Sequence, residues 1–298
     1  MNRATEFLVG TASWTDPTLV KSDSFYPPSL KTSEARLRFY AEQFATVEVD
    51  ATYYTIVAEN TARLWAARTP AGFVFNVKAF ALLTQHAAET KRLPLPLREL
   101  LSAKQRAEPR VKAPPKELLS LAFRMFESSL DPLRQSRKLG MLVFQFPPYF
   151  TRRSANLDYI ANLRNLLPAD PIAIEFRHRS WLEEGQARAD TMKFLRDHCF
   201  CYVSVDEPQA ASTVPSFLGV SCDTAYVRLH GRNRENWFRR GIPTVERYKY
   251  LYAERELGKW ADQLKQLRDV ARAYVIFNNC YSNFGVMNAT TMKQMLKG

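Results

Sequence analysis

Ile172-Ala173-Ile174-Glu175-Phe176-Arg177-His178 decides how the rest of the chain is read. Ile172, Ile174 and Phe176 are large and apolar; Ala173, Glu175 and Arg177 between them are small or charged. Side chains leave a strand on opposite faces with period two, so one face is apolar and the other carries a carboxylate and a guanidinium. Seven further stretches behave in the same way: residues 7–11, 46–50, 72–78, 139–146, 201–206, 225–230 and 273–277. Between them lie segments of helical period. Thr32 or Ser33 can cap a helix with Leu37, Tyr40, Ala41 and Phe44 on one face, and Leu257, Trp260, Leu264 and Leu267 recur at 3-4-3 spacing. Further helices are expected around residues 59–67, 157–167, 187–198 and 287–296. Eight strands alternating with helices predict an α/β chain folded as a (β/α)8 TIM barrel, one domain over residues 1–298.

One region departs from this rhythm. Residues 81–135 are expected to form an insertion after the third strand. It contains Pro94, Pro96, Pro109, Pro114 and Pro115, one short helix around residues 97–104, and a longer one over 116–130. Between Ala87 and Lys116 it carries eight basic residues against three acidic ones. Loops this long are more often functional or disordered than idle.

The bulk properties narrow the class. A chain of 298 residues suits a single α/β barrel and buries enough surface to need no disulfide or metal staple. Cys199, Cys201, Cys222 and Cys280 form no C-x-x-C or zinc-finger spacing, which points to buried, reduced thiols. The start, Met1-Asn2-Arg3-Ala4-Thr5-Glu6, has no apolar leader, and no apolar run is long enough to span a bilayer. A cytoplasmic protein without membrane contact is the expectation. With 42 basic and 30 acidic residues the formal charge is +12, an excess that favours anionic partners. The Walker, G-x-G-x-x-G, G-x-S-x-G and H-E-x-x-H patterns are absent.

If the apolar faces meet the helices, the opposite faces fill the barrel with polar groups: Glu48, Asp50, Asn76, Lys78, Gln145, Glu175, Arg177, Ser204, Asp206, Arg228, His230 and Asn278. Barrel interiors are usually packed with Val, Ile and Leu, and barrel sites lie at the C-terminal ends of the strands, where these residues cluster. A network of ion pairs with a purely structural role would also account for the balance of charge. The clustering at one end favours a site. Glu48, Glu175, Asp206 and His230 are candidate catalytic residues, with a carboxylate as general base and His230 as acid or base. Lys78, Arg177, Arg228, Asn278, Gln145, the overhanging His86 and the turn residue Trp14 are candidates for holding substrate. Glu48, Asp50, Glu175 and Asp206 could hold a divalent cation, though the chemistry does not require one and the cofactor is open. Gly231 to Arg240 sets four arginines around Trp237 and Phe238, a mix that suits phosphates and bases.

The chain also resembles a known family, the YecE-like proteins, domain of unknown function 72, over nearly its whole length. The resemblance rests on Gly10-Thr11-Ala12-Ser13-Trp14, Phe44 to Tyr54, Phe75 to Phe80, Phe144-Gln145-Phe146-Pro147-Pro148, Glu175 to Trp181, Asp206-Glu207-Pro208, Tyr226 to Arg232 and Phe277-Asn278-Asn279. It implies a TIM barrel and supplies no mechanism. The chain departs from the family's usual residues at Ala12, Asp50, Ala51 and Ala87, and alanine at 12 and 51 rules out a nucleophile there.

Three functions compete at this point. The first is an enzyme, hydrolase or phosphoesterase in type, acting on a phosphate-bearing or nucleic-acid substrate in the charged mouth. The second is a non-catalytic binder of nucleic acid or nucleotide that uses the basic loops. The third is carbohydrate chemistry by paired carboxylates, weakened by the many cations in the pocket.

Overall fold

In the computed structural model, described for residues 4–297, eight parallel strands follow one another round a nearly closed barrel. They are β1 (Glu6–Thr11), β2 (Thr46–Val49), β3 (Val74–Lys78), β4 (Leu139–Gln145), β5 (Ile172–Glu175), β6 (Cys201–Asp206), β7 (Thr224–Leu229) and β8 (Arg272–Phe277). Hydrogen-bonded pairing runs β1-β8-β7-β6-β5-β4-β3-β2. The seam between β1 and β2 is joined through the bridge of Ala12 to Glu48, where Ser13 N–H donates to the Glu48 carbonyl at 2.8 Å. Gly10 makes this approach feasible, because a Cβ there would overlap the Thr46 carbonyl. The first three residues of the N-terminal segment lie outside the described part. Among the described residues no helix is long and apolar enough to cross a membrane.

The helices form where apolar residues recur at helical spacing, and their ends follow local chemistry. Thr32 accepts the Ala35 N–H at 3.1 Å and starts the helix Ser33–Gln43, whose Leu37, Tyr40 and Ala41 are buried on the barrel. Leu257, Trp260, Ala261 and Leu264 are the buried stripe of the helix Glu254–Lys265. In the insertion the single helix expected near 97–104 is two. Leu95–Glu99 ends at Leu100, and Ser102 begins Ala103–Ala107 through a reciprocal capping box with Gln105. A short antiparallel ladder pairs Ala88–Glu89 with Arg110–Val111, and the long helix runs Lys116–Ser129. Leu93, Leu97, Leu101, Val111, Leu118, Phe123 and Phe126 of this insertion are buried in the same apolar cluster as the barrel strands.

Register decides which side chains point inward. Gln145 lies beside Glu175, Lys78 beside Val143, Tyr226 beside Tyr274, and Arg228 beside both Ile276 and Val205. Neighbours in parallel register share a face, so Val203 and Val205 point inward with Tyr226 and Arg228. Tyr202, Ser204 and Asp206 therefore point outward, the reverse of the facing expected for β6. Ser204 Oγ accepts the Gly219 N–H at 3.0 Å in the outer layer. Both faces of a buried barrel strand are covered, so polarity alone does not say which face is inner. Asn76 does face inward, but it repairs a register shift between β3 and β4. Its Oδ1 accepts the Met141 N–H at 2.8 Å, and its Nδ2 donates to Thr46 Oγ1 at 3.1 Å.

Candidate functional site

Inward-facing residues at the C-terminal ends of the strands meet in one charged cluster. Arg228 on β7 is fully buried. Its Nη2 lies 2.5 Å from Glu48 Oε1 and its Nη1 2.5 Å from Glu175 Oε2. Tyr226, two residues earlier on the same face, donates its hydroxyl to Glu48 Oε2 at 2.8 Å. Glu175 Oε1 collects Gln145 Nε2 at 2.6 Å, Arg177 Nη1 at 3.0 Å and His230 Nε2 at 3.2 Å. Arg177 reaches on to Glu207, with Nη2 2.8 Å from Oε2. On the other flank Lys78 Nζ stands 3.7 Å from Asp50 Oδ1, which is 3.8 Å from Arg228. Four carboxylates and three cations thus alternate across the mouth.

Burial and pairing separate the titrations of these groups. Burial pushes Glu175 up, but Arg228, His230 and Arg177 outweigh it and hold its carboxyl well below the usual range. Glu48 is pushed up to about 7, mainly by burial and against the pull of Arg228. Burial raises Glu207 to about 7 as well, and Arg177 only partly offsets it. His230 is lowered to about 3 by burial, against the pull of Glu175. The Asn278 amide lies 2.8 Å from His230 Nδ1, and His230 Nε2 stands between Glu175 Oε1 at 3.2 Å and Arg177 Nη1 at 3.1 Å.

His86 overhangs this cluster from the start of the insertion, its ring 5.3 Å from Tyr53, whose face carries Lys78 Nζ at 4.8 Å. Burial lowers it to about 4, helped by the charges of Lys78 and Arg177. Thr84 spends its hydroxyl proton on the Ala81 carbonyl, so its oxygen, 2.8 Å from His86 Nδ1, accepts from the ring. Nε2 of His86 is therefore a bare lone pair. The ring also lines a cleft of about 670 Å3 beside the mouth, with Gln85, Lys112, Pro114, Tyr149 and Tyr159. Trp237 and Tyr248 close the opposite flank, Trp237 5.3 Å from the Arg177 guanidinium and Tyr248 6.2 Å from the His230 ring.

The structure brings together Glu48, Asp50, Lys78, Gln145, Glu175, Arg177, Arg228, His230, Asn278 and His86. Two candidates fall elsewhere. Asp206 points into the outer layer and takes Arg232 Nε at 2.8 Å, Arg232 Nη2 at 2.6 Å and Trp260 Nε1 at 2.7 Å. Its side chain thus lies on the opposite face of β6 from the charged cluster that holds Glu48. Trp14 packs edge-on against Trp65 and Phe75 under the helix Glu59–Ala67 and does not reach the charged cluster. The four carboxylates that could have held a divalent cation do not gather as one set. The Glu48 and Glu175 oxygens are occupied by Arg228, Tyr226, Gln145, Arg177 and His230. Among the described residues no group of three His, Cys, Asp or Glu is arranged to hold a metal.

Sequence reasoning missed Glu207, Tyr226 and Tyr248 as parts of the mouth, and named Trp237 only as part of a basic loop. Glu207 has the parity of Val205, so the inward carboxylate on this strand is one residue beyond the one expected. Trp181 serves packing: it stacks on Phe176 at 4.3 Å and donates to the Phe150 carbonyl at 2.6 Å.

Relatives share this architecture. A protein of Bacillus subtilis (strain 168), "UPF0759 protein YunF", is 32% identical over 97% of this chain and 93% of its own length. A solved DUF72 family protein of Thermotoga maritima MSB8 superposes with a TM-score of 0.77 at 31% identity, covering 98% of this chain and 100% of that one. Another, from Enterococcus faecalis V583, reaches a TM-score of 0.78 at 24% identity over 98% and 96% of the two chains, a likeness of fold. The family described as "Protein of unknown function DUF72" matches residues 8–298, so the chain belongs to the DUF72 family.

Proposed function

We propose that this DUF72 protein is an enzyme performing acid–base chemistry on a small, hydroxyl-rich phosphate ester at the C-terminal mouth of the barrel. One observation carries the reading: the mouth leaves groups of both signs sparsely paired. Asp50 Oδ1 is a buried acceptor with only long ion pairs, 3.7 Å to Lys78 and 3.8 Å to Arg228, and the buried Glu207 faces a single cation, Arg177, 2.8 Å from its Oε2. Lys78 Nζ faces them with no hydrogen-bonded acceptor among the described residues, its nearest carboxylate 3.7 Å away. Buried polar groups are nearly always satisfied, so the sparse pairing of Asp50, Glu207 and Lys78 at the mouth favours a ligand that brings both donors and an anion. Sugar hydroxyls would donate to Asp50 and Glu207, and a phosphate would take Lys78 with the outer edge of Arg177.

Roles follow from which lone pairs are free. Every oxygen of Glu48 and Glu175 is already engaged, and both nitrogens of His230 have partners, so these residues form the frame. His86 Nε2 is a free, neutral base at the rim. Glu207, raised to about 7, can carry a proton near neutral pH. Titratable groups with displaced values at a barrel mouth support proton transfer there. The cleft lined by His86 and Tyr149 has room for the rest of the substrate.

Calorimetric titration with inorganic phosphate, glucose and glucose 6-phosphate tests the reading. The sugar phosphate should bind most tightly, and Lys78→Met should remove its advantage over the free sugar, by about tenfold or more. Equal binding of sugar and sugar phosphate, or no binding of any, would sink it.

A second reading, a binder of nucleic acid, is favoured by the exposure of Lys91, Lys104, Arg106, Lys112, Lys116, Arg234, Arg239 and Arg240 on the two basic elaborations. With 6–10 phosphate contacts, affinity for DNA or RNA should fall about 10³–10⁵-fold between 50 and 200 mM salt. No affinity at low salt leaves the small-molecule reading alone.

A further inference from the structure

A cavity of about 990 Å3 opens at the opposite end of the barrel from the charged mouth. Cys199, Cys201 and Cys222 line it together with Asp223, Thr224 and Arg272. Cys201 starts β6 with its side chain inward, beside Ala173 on β5. Cys222 lies two residues before β7. Both thiols donate to one oxygen, the Thr224 carbonyl, Cys201 Sγ at 3.2 Å and Cys222 Sγ at 3.4 Å. The two sulfurs therefore gather at a single acceptor, although 21 positions separate them in the chain. We propose that Cys201 and Cys222 are a thiol-modification site that closes into a reversible intrachain disulfide on exposure to a low-molecular-weight disulfide.

The two cysteines are not equivalent, and the difference assigns their roles. Cys222 is half-buried at the cavity wall and Cys201 is buried behind it. Hydrogen bonding from Cys201 lowers the Cys222 thiol, although burial and Asp223 oppose this. The same bond, with burial, raises Cys201. The reachable thiol with the greater thiolate fraction is the attacking one. Its sulfur bonds to one sulfur of the small disulfide, whose S–S bond breaks and expels one thiolate. Cys201 then gives its proton to that thiolate and attacks the Cys222 sulfur, expelling the second. The protein loses two electrons and two protons, and the small disulfide becomes two thiols. Closure would tie the start of β6 to the segment leading into β7.

Intact-mass measurement and peptide mapping of the full chain after incubation with glutathione disulfide test the site. The parent should become lighter by two hydrogen atoms and yield a peptide linking Cys201 to Cys222, and dithiothreitol should reverse both changes. Cys201→Ser should stop at one glutathione on Cys222. Cys199→Ser should behave as the parent, and Cys222→Ser should leave Cys201 unmodified. A parent that stays reduced, or that carries glutathione without an internal link, overturns the proposal, and so does a link that uses Cys199.

Discussion

Arg228 holds two carboxylates at once and has no access to water, so its loss would strand Glu48 and Glu175 together. Arg228→Met should destabilise the fold by about 3–5 kcal/mol, read from urea unfolding. Arg177 differs: its side chain keeps 12% exposure, it shares Glu175 with Arg228, and its other carboxylate, Glu207, raised to about 7, can take up a proton when the cation is lost. Arg177→Met should therefore cost clearly less, and a loss equal to that of Arg228→Met would count against this ranking. The histidines and raised carboxylates pull the pH dependence of stability in opposite directions. His230 at about 3 and His86 at about 4 bind protons less readily when folded than the unfolded value of 6.5. The stability they contribute is complete above pH 6.5 and is lost as pH falls through the folded values. Glu48 and Glu207 at about 7 bind protons more readily than the unfolded value of 4.5, so their contribution is lost as pH rises from 4.5 to 7. Glu207→Gln should flatten the decline between 4.5 and 7, and His86→Gln should flatten the rise between 4 and 6.5. Melting temperatures measured across pH check both slopes.

At the scale of the element, β6 carries two consecutive acids with opposite fates. Asp206 is committed to Arg232 and Trp260 in the outer layer, whereas Glu207 enters the mouth beside Arg177. Asp206→Asn should lower the melting temperature and leave titration with glucose 6-phosphate unchanged. Glu207→Gln should do the reverse, weakening the ligand with little loss of stability. If Asp206→Asn weakened the ligand as much as Glu207→Gln does, the assigned facing of β6 would be wrong. The seam between β1 and β2 is a second element-scale feature. Gly10→Ala forces a methyl group into the Thr46 carbonyl and should cost at least the ~1–3 kcal/mol typical of overpacking, measured by the same urea titration.

For the whole molecule, the decisive feature is that the insertion contributes to the barrel's own apolar cluster. Leu97, Leu118 and Phe126 are buried as completely as Val143 or Ile174 on the strands. Chemical unfolding followed by far-ultraviolet dichroism and by tryptophan fluorescence should therefore give coincident, single transitions. An early transition seen by one probe alone would make the insertion a separate unit. The charged mouth and the thiol-lined cavity lie at opposite ends of this one barrel. Ligand binding at the first and oxidation at the second can thus be measured independently.

Period and spacing determined the eight strands, the helices between them and the place of the insertion, because burial on a strand or helix imprints a local repeat that needs no partner to be seen. They also determined most of the mouth: Glu48, Lys78, Glu175, Arg177, Arg228, His230 and Asn278 sit at the inward parity of strand ends. Only the tertiary structure decided the facing of β6. Its two faces are both buried, and the outer partners that claim Asp206 come from the loop after β7 and from the helix Glu254–Lys265. Tertiary structure likewise turned Trp14 into core, set Asn76 to mending a register shift, and left Asp50, Glu207 and Lys78 sparsely paired. Those outcomes depend on which atoms of distant strands meet, and strand-to-strand register is a non-local quantity that the local pattern of a chain does not carry.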